Sequence, residues 1–361
     1  MRIALVNIFK PREGSGDGIT EYTLQLYKKL KQKHKIDLVF ALDESKRIDI
    51  PGRVYVETFF RLAAKKLIEG NYDVVHITNP EIGYFAKKLK KAGVKAKIIV
   101  TIHDFVRVVS YSKGGSGGLQ TMYDYMVTKN TTDAINYADF LIFTSSNELA
   151  YGKAHYRLPE HSLIFIGAKD LFLNAPLPRR TGRSGKPFTI GYIGGLVPSR
   201  HIDFILKTAE ILGPAYSFRI YGTGSERANL LKYKSERHIK NAEFMGFAPE
   251  KEILKIYDNF DLFMNCSSVD VESLPLEDAL ARGLPVLISE PNIYDDEVRK
   301  RVYQAKTPGH AAEIIKRLRK EGYPAKRQRA NLKYEKTVSW AQVARKTEAV
   351  YTKVSEGHSN L

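Results

Sequence analysis

The sequence predicts an α/β protein of two domains, each a mostly parallel sheet covered by helices. Three observations carry that expectation. The chain has 361 residues, 43% hydrophobic and 27% charged, enough for two cores of ordinary size. Short apolar runs of strand length alternate with longer stretches whose apolar residues recur at three- and four-residue spacing. The alternation breaks once, at APLPRRTGRSGKP (175–187), where Pro, Gly and Arg read as a linker.

In order, strands are expected at 3–8, 36–41, 73–77, 97–102, 140–144 and 163–166. After the linker they resume at 188–193, 217–221, 242–245, 262–265 and 285–288. Expected boundaries are therefore a first domain 1–174, a linker 175–187, a second domain 188–336 and a terminal helix 337–356. Ser339 with Gln342 fits a capping box, and Val338 with Val343 a hydrophobic staple. Val343, Thr347, Val350, Tyr351 and Val354 then share one face, which must dock on something.

Composition narrows the function classes. The single cysteine, Cys266, excludes an intrachain disulfide and a thiolate metal cluster, and points to a reducing, cytoplasmic compartment. The net charge of +17 favours an anionic partner: nucleic acid, an anionic membrane surface or a phosphorylated small molecule, with lysine enrichment for heat tolerance as a blander source. No interleaved aromatic and basic module supports nucleic acid. No run reaches the 18 or so apolar residues of a spanning helix, and MRIALVNIF lacks a cleavage pattern after it. Membrane contact is therefore expected to be peripheral, through lysines 28, 29, 31, 33, 35, 65, 66, 87, 88, 90, 91, 95 and 97 and through Phe59, Phe60 and Leu62.

Four stretches can carry chemistry. GSGDGITEY (14–22) follows the first strand, and its glycines let backbone approach an anion at the next helix start, although neither a dinucleotide fingerprint nor a P-loop is present; a plain structural turn is the competing reading. His103-Asp104 leaves the carboxyl end of the 97–102 strand, where an imidazole can meet a substrate hydroxyl; a capping Asp beside an incidental His is an equal reading. The glycine-rich YSKGGSGGL (111–119) nearby reads as a loop that a substrate could order.

In GYIGGLVPSRHID (191–203), two glycines and Arg200 suit a diphosphate, against a plain surface arginine. In SSVDVESLPLEDALARGLPVLIS (267–289), Glu277 near a helix start can accept two ribose hydroxyls, while amides around Ser273 and Leu274 face phosphate. Acidic capping of the helix explains the same residues without any ligand.

These stretches together resemble the retaining glycosyltransferases of family 4. The similarity runs from MRIALVN and Gly16-Asp17-Gly18 through Thr101-Ile102-His103-Asp104 to TVSWAQVARKTEAVY, and it is most specific in IGGLVPSRHID, FRIYGTGSERANL, AEFMGF and LEDALARGLPVLIS, in that order. The resemblance implies the GT-B fold, two Rossmann-like domains facing each other across a cleft, with the terminal helix packed back on the first. It implies a nucleoside-diphosphate sugar as donor, a hydroxyl acceptor that is lipid-linked or a small sugar, no metal and no further cofactor.

Residue by residue, the resemblance places Gly16 and Gly18 near donor phosphates and acceptor, and His103 against the transferred sugar. Arg200 takes the diphosphate, beside Gly194 and Gly195, and Glu277 the ribose. Gly222, Gly224 and the Met245 to Phe247 turn border the nucleoside.

Two departures stand out. Gly195 occupies a position that is commonly basic in the family. The family's paired glutamates have seven residues between them, yet eight positions before Glu277 stands Val269, so Asp270 or Glu272 is the substitute sugar contact. His103, Arg200 and Glu272 are the expected catalytic set. The implied reaction transfers a sugar with retention, the diphosphate leaving and helping to deprotonate the acceptor. A phosphorylase or epimerase on the same fold, and a noncatalytic nucleotide-sugar-binding protein, are the alternatives.

Overall fold

The structure, a computed structural model, describes residues 1–10, 18–42, 52–105, 118–178, 187–268, 270, 272–290 and 294–356. By their internal contacts they form two units, Met1–Phe165 with Trp340–Leu361, and Ile166–Ser339.

The first unit runs β1 (Arg2–Phe9), α1 (Gly18–Leu30), β2 (Lys35–Leu42), α2 (Gly52–Glu69), β3 (Val74–Ile77), a short turn of 3-10 helix at Pro80–Ile82, α3 (Tyr84–Lys91), β4 (Lys97–Ile102), α4 (Gly118–Tyr137), β5 (Phe140–Phe143), α5 (Ser146–His155) and β6 (Glu160–Leu163). The strands pair in parallel in the order β2-β1-β3-β4-β5-β6. β3 and β5 are buried throughout; β5 reads as an unbroken apolar run, and β3 does so except at His76.

The last strand lies three residues before its expected place at 163–166. Glu160–Leu163 is an edge strand, only partly buried, and a polar sequence suffices there. The apolar Ile164 and Ile166 are buried as the chain leaves the sheet.

The second unit runs α6 (Asp170–Asn174), β7 (Phe188–Ile193), a 3-10 turn at Pro198–Arg200, α7 (Ile202–Leu212), β8 (Tyr216–Tyr221), α8 (Arg227–Glu236), β9 (Ala242–Gly246), α9 (Ile253–Asp258), β10 (Leu262–Asn265), α10 (Leu274–Ala281), β11 (Val286–Ser289), α11 (Asp296–Arg301), β12 (Tyr303–Ala305), α12 (Pro308–Glu321) and α13 (Ala325–Thr337). Its strands are also parallel, in the order β12-β11-β10-β7-β8-β9. Counted within the unit this is the doubly wound order 6-5-4-1-2-3, and strand order reverses between β7 and β10. The three-residue β12, half polar, carried no sequence signal.

Residues 166–174 belong by contact to the second unit. Lys169 N–H donates to Asp278 Oδ1 at 3.0 Å, and the fully buried Arg282 donates to the carbonyls of Phe172, Ala175 and Pro176 while its Nε meets Asp258 at 2.8 Å. Gly167 is needed where it stands, since a Cβ there would lie 2.0 Å from the carbonyl oxygen of Val338.

The terminal helix α14 (Trp340–Glu356) returns to the first unit and packs along α1. Trp340, Val343, Thr347, Val350, Tyr351 and Val354 are all buried. Lys33 and His34 hold Glu348 at 2.9 and 3.0 Å, and Lys353 pairs with Glu160.

Candidate functional site

In an open parallel sheet the carboxyl ends of the strands beside the order reversal leave a crevice between diverging loops. In the second unit those strands are β7 and β10. The loops there are bound together: Gly194 N–H donates to Tyr221 O at 3.1 Å, Leu196 N–H to Thr223 O at 2.9 Å, and Gly222 N–H to Gly246 O at 2.7 Å. Gly222 has φ +144°, and a Cβ on it would lie 1.8 Å from Gly194 O; one on Gly224 would meet Leu196 O at 2.3 Å. These two glycines are thus required by the seam itself. Around Gly195 there is open space.

Beneath the seam, Tyr192 donates its phenol to Gly195 O at 2.9 Å, and burial pushes its acidity well below that of an ordinary tyrosine. Phe247, one residue past β9, is 46% exposed, and Met245 is similarly open.

Arg200 ends the 3-10 turn after β7, and His201 adopts a left-handed conformation with φ 47° so that α7 can start in a new direction. The Arg200 guanidinium is bonded to Asp270. Asp270 N–H donates to Ser267 Oγ at 3.1 Å, Ser268 N–H to Ser199 O at 3.1 Å, and His201 Nε2 lies 2.9 Å from Ser268 Oγ. The loops after β7 and β10 are therefore joined side by side at the reversal point.

From there the chain passes half-buried Glu272 to Ser273, the residue before α10, whose Oγ accepts from Asn265 Nδ2 at 2.8 Å. Leu274 opens the helix and Pro275, which has no N–H, follows it; the amides of Leu276 and Glu277 donate to Ser273 O at 3.0 and 3.1 Å.

Glu277, expected to meet the ribose, is held by Arg301. Its side chain is 2% exposed, and both oxygens accept from Arg301, at 2.8 and 2.9 Å in a parallel fork. Arg301 also bonds Glu335 and lies 4.1 Å from the Tyr334 ring centroid. Burial first, then the neighbouring Glu277 charge, pushes the Glu335 carboxyl well above its usual range. The cluster ties α10 to α11 and α13.

Seven residues also separate Asp270 from Asp278. Asp278, buried, faces Lys169 on the α6 side of the helix.

In the first unit, order reverses between β1 and β3. Asn7 Nδ2 donates to Thr20 Oγ1 at 3.0 Å, and Thr23 meets Thr78 at 2.7 Å, fixing α1 over these strand ends. Gly18 is the first residue of α1, with no atom near its absent side chain. Gly16 and most of the 111–119 loop lie outside the described residues. His103 follows β4, half-buried, with Nε2 donating to Thr78 O at 3.1 Å and Tyr22 packed edge-on 4.7 Å away. Glu148, buried at the start of α5, accepts the N–H of Phe105 and so holds the turn past His103. Sequence reasoning did not single out Glu148; the sign was Ser145-x-x-Glu148, a capping box.

Residues 175–336 match the family described as Glycosyl transferases group 1. The chain is 32% identical over 114 residues to the GDP-mannose-dependent alpha-mannosyltransferase of Mycobacterium tuberculosis, covering 32% of this chain and 28% of that protein. It is 29% identical over 108 residues to the GtfA subunit of the UDP-N-acetylglucosamine–peptide N-acetylglucosaminyltransferase of Streptococcus parasanguinis, covering 29% and 21%. These matches thus span less than a third of either relative's length. The structure of sucrose-phosphate synthase from Thermosynechococcus elongatus superposes with a TM-score of 0.79 at 16% identity, covering 98% of both chains. The two sheets have the GT-B architecture of such structures, and residues 175–336 form a Glycosyl transferases group 1 domain.

Proposed function

We propose that this chain is a retaining glycosyltransferase that moves a sugar from a nucleoside-diphosphate sugar to a hydroxyl acceptor. The observation that carries the reading is Arg200 bonded to Asp270 at the β7/β10 reversal, beside the glycine seam and the start of α10. A guanidinium and a helix start at one strand end are suited to the charge that develops on a departing diphosphate.

In this reading Arg200 exchanges part of its Asp270 contact for the diphosphate, with Gly194, Gly195 and the Ser273 and Leu274 amides around it. Gly222, Gly224 and Phe247 border the nucleoside. Asp270 or Glu272 meets the sugar, and Glu277 or its neighbour Asp278, both buried and both already bonded, gives up part of its contact to serve the ribose. His103, with Gly16 and Gly18, serves the transferred sugar and acceptor. The C1–O bond breaks toward the phosphate, and the diphosphate oxygen takes the acceptor proton.

The names of the relatives specify both GDP and UDP donors, so the base is chosen by experiment. A panel of UDP-, GDP- and ADP-sugars, read as released nucleoside diphosphate with product anomers followed by NMR, tests the reading. Release with a retained anomer supports it. Binding without turnover for every donor, with and without lipid extract, favours the noncatalytic alternative, for which the neutralised Arg200 and Gly195 speak.

For the acceptor side, a lipid-linked substrate reached at an anionic membrane face fits the surface of α3. Lys91 and Lys95 are exposed, whereas Lys87 and Lys90 are held by Asp133 and Asp139 at 3.0 and 2.7 Å. Leu62 is exposed on neighbouring α2, but Phe60 is packed on Phe85. Among the described residues no helix is long and apolar enough to cross a membrane.

A further inference from the structure

The first unit buries a line of polar side chains that its apolar core does not need. Tyr351 of α14 places its hydroxyl 2.6 Å from His76 Nδ1; His76 Nε2 lies 2.7 Å from Thr101 Oγ1; Thr101 Oγ1 lies 3.3 Å from the Tyr22 hydroxyl. All four side chains are buried, on α14, β3, β4 and α1 respectively. Unpaired, each would cost more than an apolar substitute, so a complete chain of bonds specifies position rather than adding bulk stability.

The line has a definite end. Thr101 and His103 are two residues apart, and the Tyr22 ring, held through its hydroxyl by Thr101, stands at 83° to the His103 ring with centroids 4.7 Å apart. Thr78 O takes the Nε2 proton of His103 from the other side. The imidazole thus lies between a carbonyl and a ring that is bonded to Thr101 through its hydroxyl and packed edge-on against Trp340 of α14.

Burial and the nearby His103 depress the His76 pKa to about 3, so His76 is neutral at working pH and one nitrogen donates while the other accepts. Each hydroxyl must then follow its neighbour, and the Thr101 hydroxyl has one hydrogen to give, to His76 or to Tyr22.

We propose that His76 is a positioning residue: through Thr101 and Tyr22 it sets the orientation of His103, and it does so only when Tyr351 of the terminal helix is seated. The inference rests on the reading of His103 as a sugar-contacting residue, but its geometric half can be measured without turnover. In the 361-residue chain, histidine side-chain 1H–15N spectra, with His103 assigned by His103→Asn, are compared for Tyr351→Phe, His76→Gln and His76→Leu. Nucleoside diphosphate release gives kcat and donor KM in parallel.

Tyr351→Phe keeps its ring and the helix docked. The expected result is displaced His103 signals, kcat reduced roughly tenfold or more as expected for a misaligned group, and donor KM changed by less than about twofold. His76→Gln, which keeps a donor and an acceptor, should retain more kcat than His76→Leu. Unmoved His103 signals in Tyr351→Phe and His76→Leu overturn the proposal, whatever happens to kcat. Displaced signals in a chain that turns over no donor uphold the positioning and reject the transferase reading.

Discussion

Arg200 and Glu277 are both partnered side chains of the second unit, and the two pairings differ in exposure. Arg200 is 29% exposed and its partner Asp270 sits on a loop, so the bond can open toward a ligand. Arg200→Ala should therefore lower kcat/KM by about 2–4 kcal/mol while moving the melting temperature little. Near-native efficiency with the correct donor would refute the diphosphate role. Glu277 is enclosed with Arg301, and Asp278 is bonded to Lys169. Substitution of the acid that serves the ribose, Glu277→Gln or Asp278→Asn, should weaken nucleotide affinity about tenfold, the cost of a lost bond to a charged acceptor, and the other should leave it within about twofold. Calorimetry with UDP and GDP distinguishes the two; unchanged affinity in both would remove the ribose role from this pair. The arginine, the glycines and the acidic stretch were legible because short motifs record them. That Glu277 is held by Arg301 was not, because Arg301 and Glu335 lie dozens of residues away. Glu335 itself predicts a pH effect. Its folded pKa lies above its unfolded value near 4.5, so the folded state holds a proton that the unfolded state has released, and stability falls as pH rises from about 4.5 toward the folded value. Urea titrations at rising pH above about 4.5 should show this decline, and Glu335→Gln should flatten it; an unchanged slope would place the proton elsewhere.

At the scale of elements, the seam joining the ends of β7, β8 and β9 is backbone bonded to backbone, so its weak point is steric. Gly222→Ala places a methyl against Gly194 O and should abolish nucleotide binding while leaving the sheet's circular dichroism intact; retained binding would show that the seam yields. The basic helix α3 supplies a different test. Lys91→Gln with Lys95→Gln should weaken sedimentation with anionic vesicles at low salt more than Lys87→Gln with Lys90→Gln, because the latter pair is already neutralised by aspartates. Equal losses, or none, would remove α3 from the membrane reading. Elements with strong periodicity, such as the terminal helix, were legible from sequence, as were the edge strands β2 and β9, while the edge strands β6 and β12 were displaced or missed. An edge strand has one bonded neighbour and a partly wetted face, so β6 and β12 lack the apolar density that marks central strands.

For the whole molecule, two parallel sheets with opposite ends of the chain in one unit give a specific response to ligand. Nucleotide should slow amide exchange in β7, β8 and α10 and raise the stability of the second unit by about 2.7 kcal/mol at a hundredfold excess over Kd; protection confined to β1 through β6 would contradict the assigned site. The α/β class was legible because alternation of buried strands and amphipathic helices is a local signal summed over many residues. The partition of residues 166–174 was not, since it is set by Arg282 and Asp278 reaching carbonyls and an amide about a hundred positions earlier. That same return of α14 imposes an order on birth. While the chain is being synthesised, His76, Thr101 and Tyr22 emerge long before Tyr351, and all of 166–339 intervenes. At ordinary elongation rates of roughly 5–20 residues per second, the first unit waits on the order of ten seconds or more with that polar line open and the Trp340 groove uncovered. The unit made second is thus the first able to finish folding, and ribosome-bound chains ending before residue 340 should be cleaved by protease in β1 through β6 while β7 through β12 resist.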